Sequence, residues 1–152
     1  PTVWASSWGD ISRTFKLTQT LSQHEDMSPA DFALSVHNAV GAQAAIWLKN
    51  HASTSAVAAG PVTASCALLE AFLKLQSSPS VLVVRYEESM PELWRNNDSA
   101  SAPLPCAWAL RLTSAPNAQT IKLETGKRGK KRLPYPRRNP LSHKRHGCLR
   151  RV

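Results

Sequence analysis

Residues 53–84 have the sequence STSAVAAGPVTASCALLEAFLKLQSSPSVLVV, which predicts a strand, a helix and a second strand in succession. The small residues of 53–59 are typical of a short strand that ends at Gly60. The segment 63–75 carries apolar residues over a wide face and only two charged residues, so we expect a helix packed on a core. The continuous apolar run 81–84 predicts a strand covered on both faces.

The sequence before this unit predicts one strand and two helices. TVWA at 2–5 is short, apolar and β-prone. Apolar residues with helical spacing over 11–21 indicate an amphipathic helix. Ser28 followed by Pro29 is typical of a helix start, because Ser caps free N–H groups and Pro fits the first helical position. The helix that starts there extends to Leu48, and the small residues of 38–48 (NAVGAQAAIWL) predict that it is tightly buried.

After the unit, an acidic segment at 87–98 predicts a loop, and the alternating sequence CAWALRL at 106–112 predicts a further strand. Mixed strands and helices with one fully buried strand predict an α/β fold. No internal repeat is visible.

Charge divides the chain into two regions. Its 152 residues suffice for one domain of about 100–200 residues. Residues 1–114 hold seven Lys or Arg and nine Asp or Glu, a net charge of −2, whereas residues 115–152 have a net charge of +11. We therefore predict a domain over 1–114 and a basic, proline-containing tail over 115–152. The tail has few core-forming residues and should be disordered on its own.

Several protein classes are excluded by the sequence. No run approaches the roughly 18–20 apolar residues of a membrane span, and no signal-peptide pattern begins the chain. Cys66, Cys106 and Cys148 are odd in number and form no CxxC pair, which argues against a disulfide framework and a structural zinc site. These observations predict a cytoplasmic protein without a membrane partner or cofactor.

The search for catalytic residues assigns none. The phosphate-binding GxGxxG and Walker A patterns and the GxSxG nucleophile motif are all missing from the sequence. Glu87, Glu88 and Glu92 are interpreted as a solvated acidic loop and not as a catalytic pair. His37 is interpreted as a structural residue rather than a base or ligand. Cys66 lies within a predicted helix and is interpreted as a buried, inert thiol, although a helix start can activate a nucleophile.

Residues 2–112 resemble the β-ketoacyl synthase N-terminal-like proteins, also called chain-length factors, of aryl-polyene and related polyketide pathways. The resemblance implies the N-terminal half of a thiolase-like fold, with a mixed sheet flanked by helices, and a role in polyketide or fatty-acid-type biosynthesis. It rests on TVWASSWGDISRTFKL, SPADFALSVHNAVGAQAAIWL, STSAVAAG, ALLEAFLKL, VLVVRYEE and CAWALRL, in that order.

The same resemblance places the ketosynthase nucleophile at Gly60, which has no side chain to form a thioester. The two active-site histidines of ketosynthases belong to the second half of the fold. The resemblance therefore implies a non-catalytic subunit. The alternative of an acyltransferase that uses Cys66 would require an activity that is lost in Cys66→Ala.

In thiolase-like dimers, the strand before the nucleophile pairs with its counterpart across the two-fold axis. Here that strand is 53–59, so the resemblance implies that Thr54, Ser55, Ala56 and Val57 bind a partner. The expected partner is an active β-ketoacyl synthase, which would supply Cys and His and recruit acyl carrier protein. This subunit would complete the partner's structure and shape the floor of its acyl tunnel.

The basic tail does not resemble that family, and three explanations stay open. The tail is a nucleic-acid-binding arm, a solvated extension, or a sequence of non-native origin such as the product of a frameshift. We favour the third explanation. The alternative function is therefore a nucleic-acid-binding protein that acts through residues 122–151.

Overall fold

The computed structural model describes residues 1–95 and 104–115, all within one unit, Pro1–Ile121. Residues 116–152 lie outside this description, and with them most of the predicted tail and Cys148. The chain contains β1 (Thr2–Ala5), α1 (Ile11–Ser22), α2 (Pro29–Ser35), α3 (Ala39–Trp47), β2 (Thr54–Val57), a 3₁₀ turn (Gly60–Val62), α4 (Thr63–Lys74), β3 (Ser80–Glu87), α5 (Glu92–Arg95) and β4 (Cys106–Thr113). The predicted strands and the helices at 11–21 and 63–75 are confirmed, but two predictions are wrong. The region from Ser28 to Leu48 forms two helices, because Val36 is extended between α2 and α3, and the predicted loop at 87–98 contains α5.

The four strands form one mixed sheet in the order β2-β1-β3-β4. Strand β1 pairs in parallel with both β2 and β3, and β4 is antiparallel to β3. This arrangement confirms the α/β prediction and the mixed sheet that the resemblance implies. Within the described ranges, no helix has both the length and the apolar character needed to cross a membrane.

Side chains of the preceding loops start the first two helices. Asp10 Oδ1 accepts a hydrogen bond of 2.8 Å from the Arg13 backbone N–H at the start of α1. Ser28 Oγ accepts one of 3.2 Å from the Asp31 N–H, and Pro29 is the first residue of α2. The predicted start at Ser28 is thus confirmed by its capping bond.

Helix α4 packs on one face of the sheet and forms the core. Val3, Ala5, Val81 and Val83 from the strands, with Ala67 and Ala71 from α4, are fully or almost fully buried. The prediction that the strand at 81–84 is covered on both faces is wrong for this chain, since Leu82 is 37% exposed. Its side chain lies on the opposite face from α4, where the described elements cover it only in part.

The prediction that 38–48 is a tightly buried helix is also wrong, apart from its first turns. Ala39 and Gly41 are buried, but Trp47 is 83% exposed, and Ile46 and Leu48 are exposed as well. A Cβ added to Gly41 would lie 2.7 Å from Trp4 Cδ1, so this glycine permits the close approach of α3 to β1. The close approach of α3 to the sheet is therefore in its N-terminal half, whereas its last two residues, Ile46 and Trp47, are exposed.

Candidate functional site

Strand β2 lies at one end of the sheet and has a free backbone edge among the described residues. Its inner edge is paired with β1 and the loop that follows it. The Ser53 carbonyl accepts a hydrogen bond of 3.0 Å from the Thr2 N–H, and the Val57 carbonyl accepts one of 3.1 Å from the Ser6 N–H. Because backbone groups alternate in direction along a strand, those of Thr54 and Ala56 face away from β1. This outward edge is a template for pairing with another strand.

The side chains of β2 leave its edge open to a neighbouring chain. Thr54 and Ala56 are exposed, whereas Ser55 and Val57 are half-buried on the face of α4. Val57 packs against the core, and Ser55 Oγ donates a 2.9 Å hydrogen bond to Glu70 Oε1. No proline or charged residue lies within Thr54–Val57, although these are the residues that commonly block a sheet edge. The four residues of the implied partner site thus share one edge, and their role in binding stays a prediction.

Helix α4, which packs beside β2, carries exposed apolar side chains. Leu69, Phe72 and Leu73 are exposed. On the side nearest β2, Lys74 Nζ lies 3.7 Å from Glu70 Oε1 and 3.3 Å from Ser53 Oγ. The ion pair of Glu70 and Lys74 therefore lies beside the β2 edge, and the apolar side chains lie elsewhere on the exposed surface of α4.

The turn between β2 and α4 places Gly60 in the left-handed region, with a φ of 54°. No heavy atom lies within 4 Å of an ideal Cβ at this position, so the space beside it is open. The Gly60 carbonyl accepts two hydrogen bonds, one of 2.8 Å from Thr63 Oγ1 and one of 3.1 Å from Ser7 Oγ. Thr63 Oγ1 in turn accepts 2.9 Å from the Ala59 N–H.

Thr63 is fully buried, and sequence reasoning missed its role in this turn. The available signal was a hydroxyl residue three positions after a glycine at the start of a helix. Such residues form local side-chain to backbone bonds at helix starts.

Glu87 does not belong to a solvated loop, and that prediction is wrong for this residue. It is the last residue of β3 and is buried. Its carboxylate accepts hydrogen bonds from the Ser7 N–H at 2.6 Å and from Ser6 Oγ at 3.3 Å. It also forms an ion pair with Arg85 Nη2 at 2.9 Å. The parallel pairing of β1 and β3 brings these groups together at one end of the sheet. The other two glutamates of this set, Glu88 and Glu92, are exposed, and Glu92 is the first residue of α5 rather than part of a loop.

Tyr86 lies beside this ion pair and packs edge-on against Trp4, with ring centroids 6.4 Å apart. Burial, assisted by the negative charges of Glu87 and Glu88, raises the pKa of the Tyr86 phenol above its ordinary value of 10.0. The phenol therefore stays neutral in the folded protein to a higher pH than in the unfolded chain.

The remaining candidate residues lie apart from one another. His37 is exposed beside the loop at Gly9, where an added Cβ would lie 3.4 Å from His37 Nδ1. Cys66 is half-buried rather than fully buried, because it lies on a flank of α4 and not on the side facing the sheet. Among residues 1–95 and 104–115, no cluster of three or more His, Cys, Asp or Glu residues could hold a metal ion.

Comparison with known proteins supplies a family and structural relatives. Residues 1–147 match the family model described as β-ketoacyl synthase, N-terminal domain. The match runs past residue 114, where the sequence predicts a domain boundary, and that boundary stays a prediction. No curated protein matches the sequence significantly.

One structural relative is a chain in the structure of a ketosynthase (ApeO) in complex with its chain length factor (ApeC) from Xenorhabdus doucetiae. The sequences are 34% identical, and the structures superpose with a TM-score of 0.70. The match covers 75% of this chain and 49% of the other, so this chain spans about half the length of its relative.

Proposed function

Because the chain belongs to the family of β-ketoacyl synthase N-terminal domains, we propose that it is an accessory subunit of the chain-length-factor type. It binds an active β-ketoacyl synthase through Thr54–Val57 in polyketide or fatty-acid-type biosynthesis. The observation that carries this proposal is the outer edge of β2, which no other described strand pairs with and which holds no proline or charged residue. The similarity to a chain from a ketosynthase–chain length factor complex supports it.

The turn at Gly60 supports a non-catalytic role for this subunit. The family resemblance assigns the nucleophile to this position. The backbone of Gly60 is left-handed here, and glycine offers no side chain to form a thioester. In the proposed complex, the ketosynthase supplies the nucleophile and histidines and receives acyl groups from acyl carrier protein. Aryl-polyene synthesis and a cytoplasmic location belong to the same proposal.

Backbone pairing at β2 is too short to hold such a complex by itself. A strand of four residues offers only a few interchain hydrogen bonds, each contributing about 1 kcal/mol net. Exposed Leu69, Phe72 and Leu73 lie on α4 and provide apolar area worth about 25 cal/mol per Å² once it is covered. We therefore assign register to the strand edge and most of the binding energy to the apolar surface of α4.

The test is a pull-down from native extract with the full chain as bait and mass spectrometry of the bound proteins. We expect a ketosynthase to be recovered by the wild-type chain and lost with Ala56→Pro. Proline removes the outward N–H of Ala56 without removing a hydrogen bond to β1. Gln43→Ala on the exposed surface of α3 is the matched control and should recover the ketosynthase fully. Equal recovery by Ala56→Pro would reject the β2 edge as the binding site.

The net charge of +11 over residues 115–152 favours a second candidate function, nucleic-acid binding. Nucleic acid bound through this region would dissociate steeply as salt rises, because phosphate contacts release counterions. A ketosynthase complex held by apolar surface would persist under the same conditions. Salt titration of the captured material therefore separates the two functions.

A further inference from the structure

One carboxylate lies directly beside the free edge of β2. Glu70 Oε1 accepts the hydrogen bond from Ser55 Oγ at 2.9 Å, and Ser55 is an inner residue of the four-residue strand. The Glu70 side chain remains 36% exposed. A chain seated on the edge would therefore meet this carboxylate near the middle of the contact.

A second copy of this chain would meet its own carboxylate there. Suppose that two copies pair their β2 strands in antiparallel fashion about a two-fold axis normal to the sheet. Both α4 helices then lie on the same face of the joint sheet, and equivalent residues of the two copies face each other across the axis. Strands in a sheet are about 4.8 Å apart, so an axis near Ser55 brings the two Glu70 carboxylates within about 10 Å. That separation is about one Debye length at 0.1 M salt, so salt screens the repulsion between the two carboxylates only in part.

Lys74 reduces this repulsion without removing it. Its ammonium is 3.7 Å from Glu70 and 3.3 Å from Ser53 Oγ, one helical turn farther along α4 and toward the start of β2. In the symmetric pair, each lysine thus lies farther from the axis than its glutamate. The closest charged groups across the axis are the two carboxylates, an unfavourable arrangement for neighbouring strands.

We propose that Glu70 is a specificity-determining residue of the β2 edge. It disfavours a second copy of this chain and favours a partner that presents a hydrogen-bond donor or a cation opposite Ser55. The identity of that partner as a ketosynthase rests on the proposed function, whereas the discrimination against a second copy does not. Specificity of this kind comes from a repulsive group as much as from an attractive one.

Sedimentation equilibrium of the full chain tests the proposal, with wild type and Glu70→Gln compared at low salt. Glutamine keeps the length of the side chain and an acceptor for the Ser55 hydroxyl, so only the charge is removed. We expect Glu70→Gln to self-associate about twofold more tightly than wild type. The difference should shrink at about 1 M salt, where the Debye length is about 3 Å.

Two further variants identify the surface involved. Glu25→Gln makes the same charge change in the exposed loop between α1 and α2, and should leave self-association unchanged. Adding Ala56→Pro to Glu70→Gln should abolish the gain, because the outward edge is then blocked. Unchanged self-association in Glu70→Gln, or a gain that survives Ala56→Pro, would overturn the proposal. Failure to capture any ketosynthase would instead reject the proposed function, and the self-association result would still decide the role of Glu70.

Discussion

The carboxylate of Glu87 lies 2.6 Å from the backbone nitrogen of Ser7 and ties the end of β3 to the loop after β1. The same carboxylate pairs with Arg85 Nη2 at 2.9 Å, and both side chains are largely buried. Removal of one member of a buried ion pair leaves the other charge uncompensated, which is strongly destabilising.

Glu87→Ala should therefore lower the free energy of unfolding by about 3 kcal/mol, measured by urea denaturation. The control is Glu88→Ala, since Glu88 is exposed and accepts only a 3.4 Å contact from the Ser12 N–H. It should cost less than about 1 kcal/mol. Similar losses in the two variants would show that the Glu87 pair does not stabilise this end of the sheet.

Gly41→Ala should destabilise the protein even though alanine is the better helix former. Alanine gains about 1 kcal/mol in helix propensity, but its Cβ would lie 2.7 Å from Trp4 Cδ1. The Trp4 ring is held by its Nε1–H bond of 3.3 Å to Thr2 Oγ1, so overpacking should cost about 1–3 kcal/mol. Thermal unfolding compared with Gln43→Ala, an exposed change in the same helix, provides the measurement. A Gly41→Ala variant more stable than wild type would contradict the close packing of α3 on β1.

Substitution of Gly60 should be limited by backbone strain alone, because the space around its Cα is open. With a φ of 54°, Gly60→Ala should cost about 1–2 kcal/mol. Gly60→Asn should cost less, since asparagine tolerates the left-handed region. Chemical denaturation of both variants tests this order, and a larger loss for asparagine would indicate a steric restriction in place of strain.

Tyr86 should make stability fall at alkaline pH. Its raised pKa means that the folded state holds the phenolic proton more tightly than the unfolded chain does. The resulting stabilisation is fully present below pH 10.0, the ordinary pKa, and is lost as pH rises through the pKa of the folded state. Absorbance titration of the phenolate should show a component above the ordinary pKa that disappears in Tyr86→Phe. Equal alkaline losses of stability in wild type and Tyr86→Phe would contradict this assignment.

Local signals in the sequence predicted the strands and helices well. The Ser28-Pro29 start of α2 and the bounds of β1 follow from residues that act within one turn or one strand. Burial was predicted less well, because it depends on which distant elements pack together. The apolar end of α3 resembles core in the sequence, yet Trp47 is exposed, since the close approach of α3 to β1 is at Gly41, near the start of the helix.

The candidate site shows the same division. The family resemblance implied that the strand containing Thr54–Val57 pairs with another chain, and the structure places this strand at the end of the sheet. The burial of Glu87 could not be predicted, because an acidic residue near other carboxylates resembles a loop until the register of β3 with β1 is known. The bond from Ser55 to Glu70 likewise joins residues whose neighbourhood is set by how α4 packs beside β2.

The hydroxyl of Thr63 has a consequence for how fast a partner can bind. It connects the Ala59 N–H to the Gly60 carbonyl, so the chain that leaves β2 is ordered before any complex forms. A segment that must be ordered during association loses conformational entropy at that moment and docks slowly, whereas a preorganised strand presents its backbone groups at every encounter. Loss of this single hydroxyl should therefore slow association through β2, even though Thr63 is fully buried in the unbound chain.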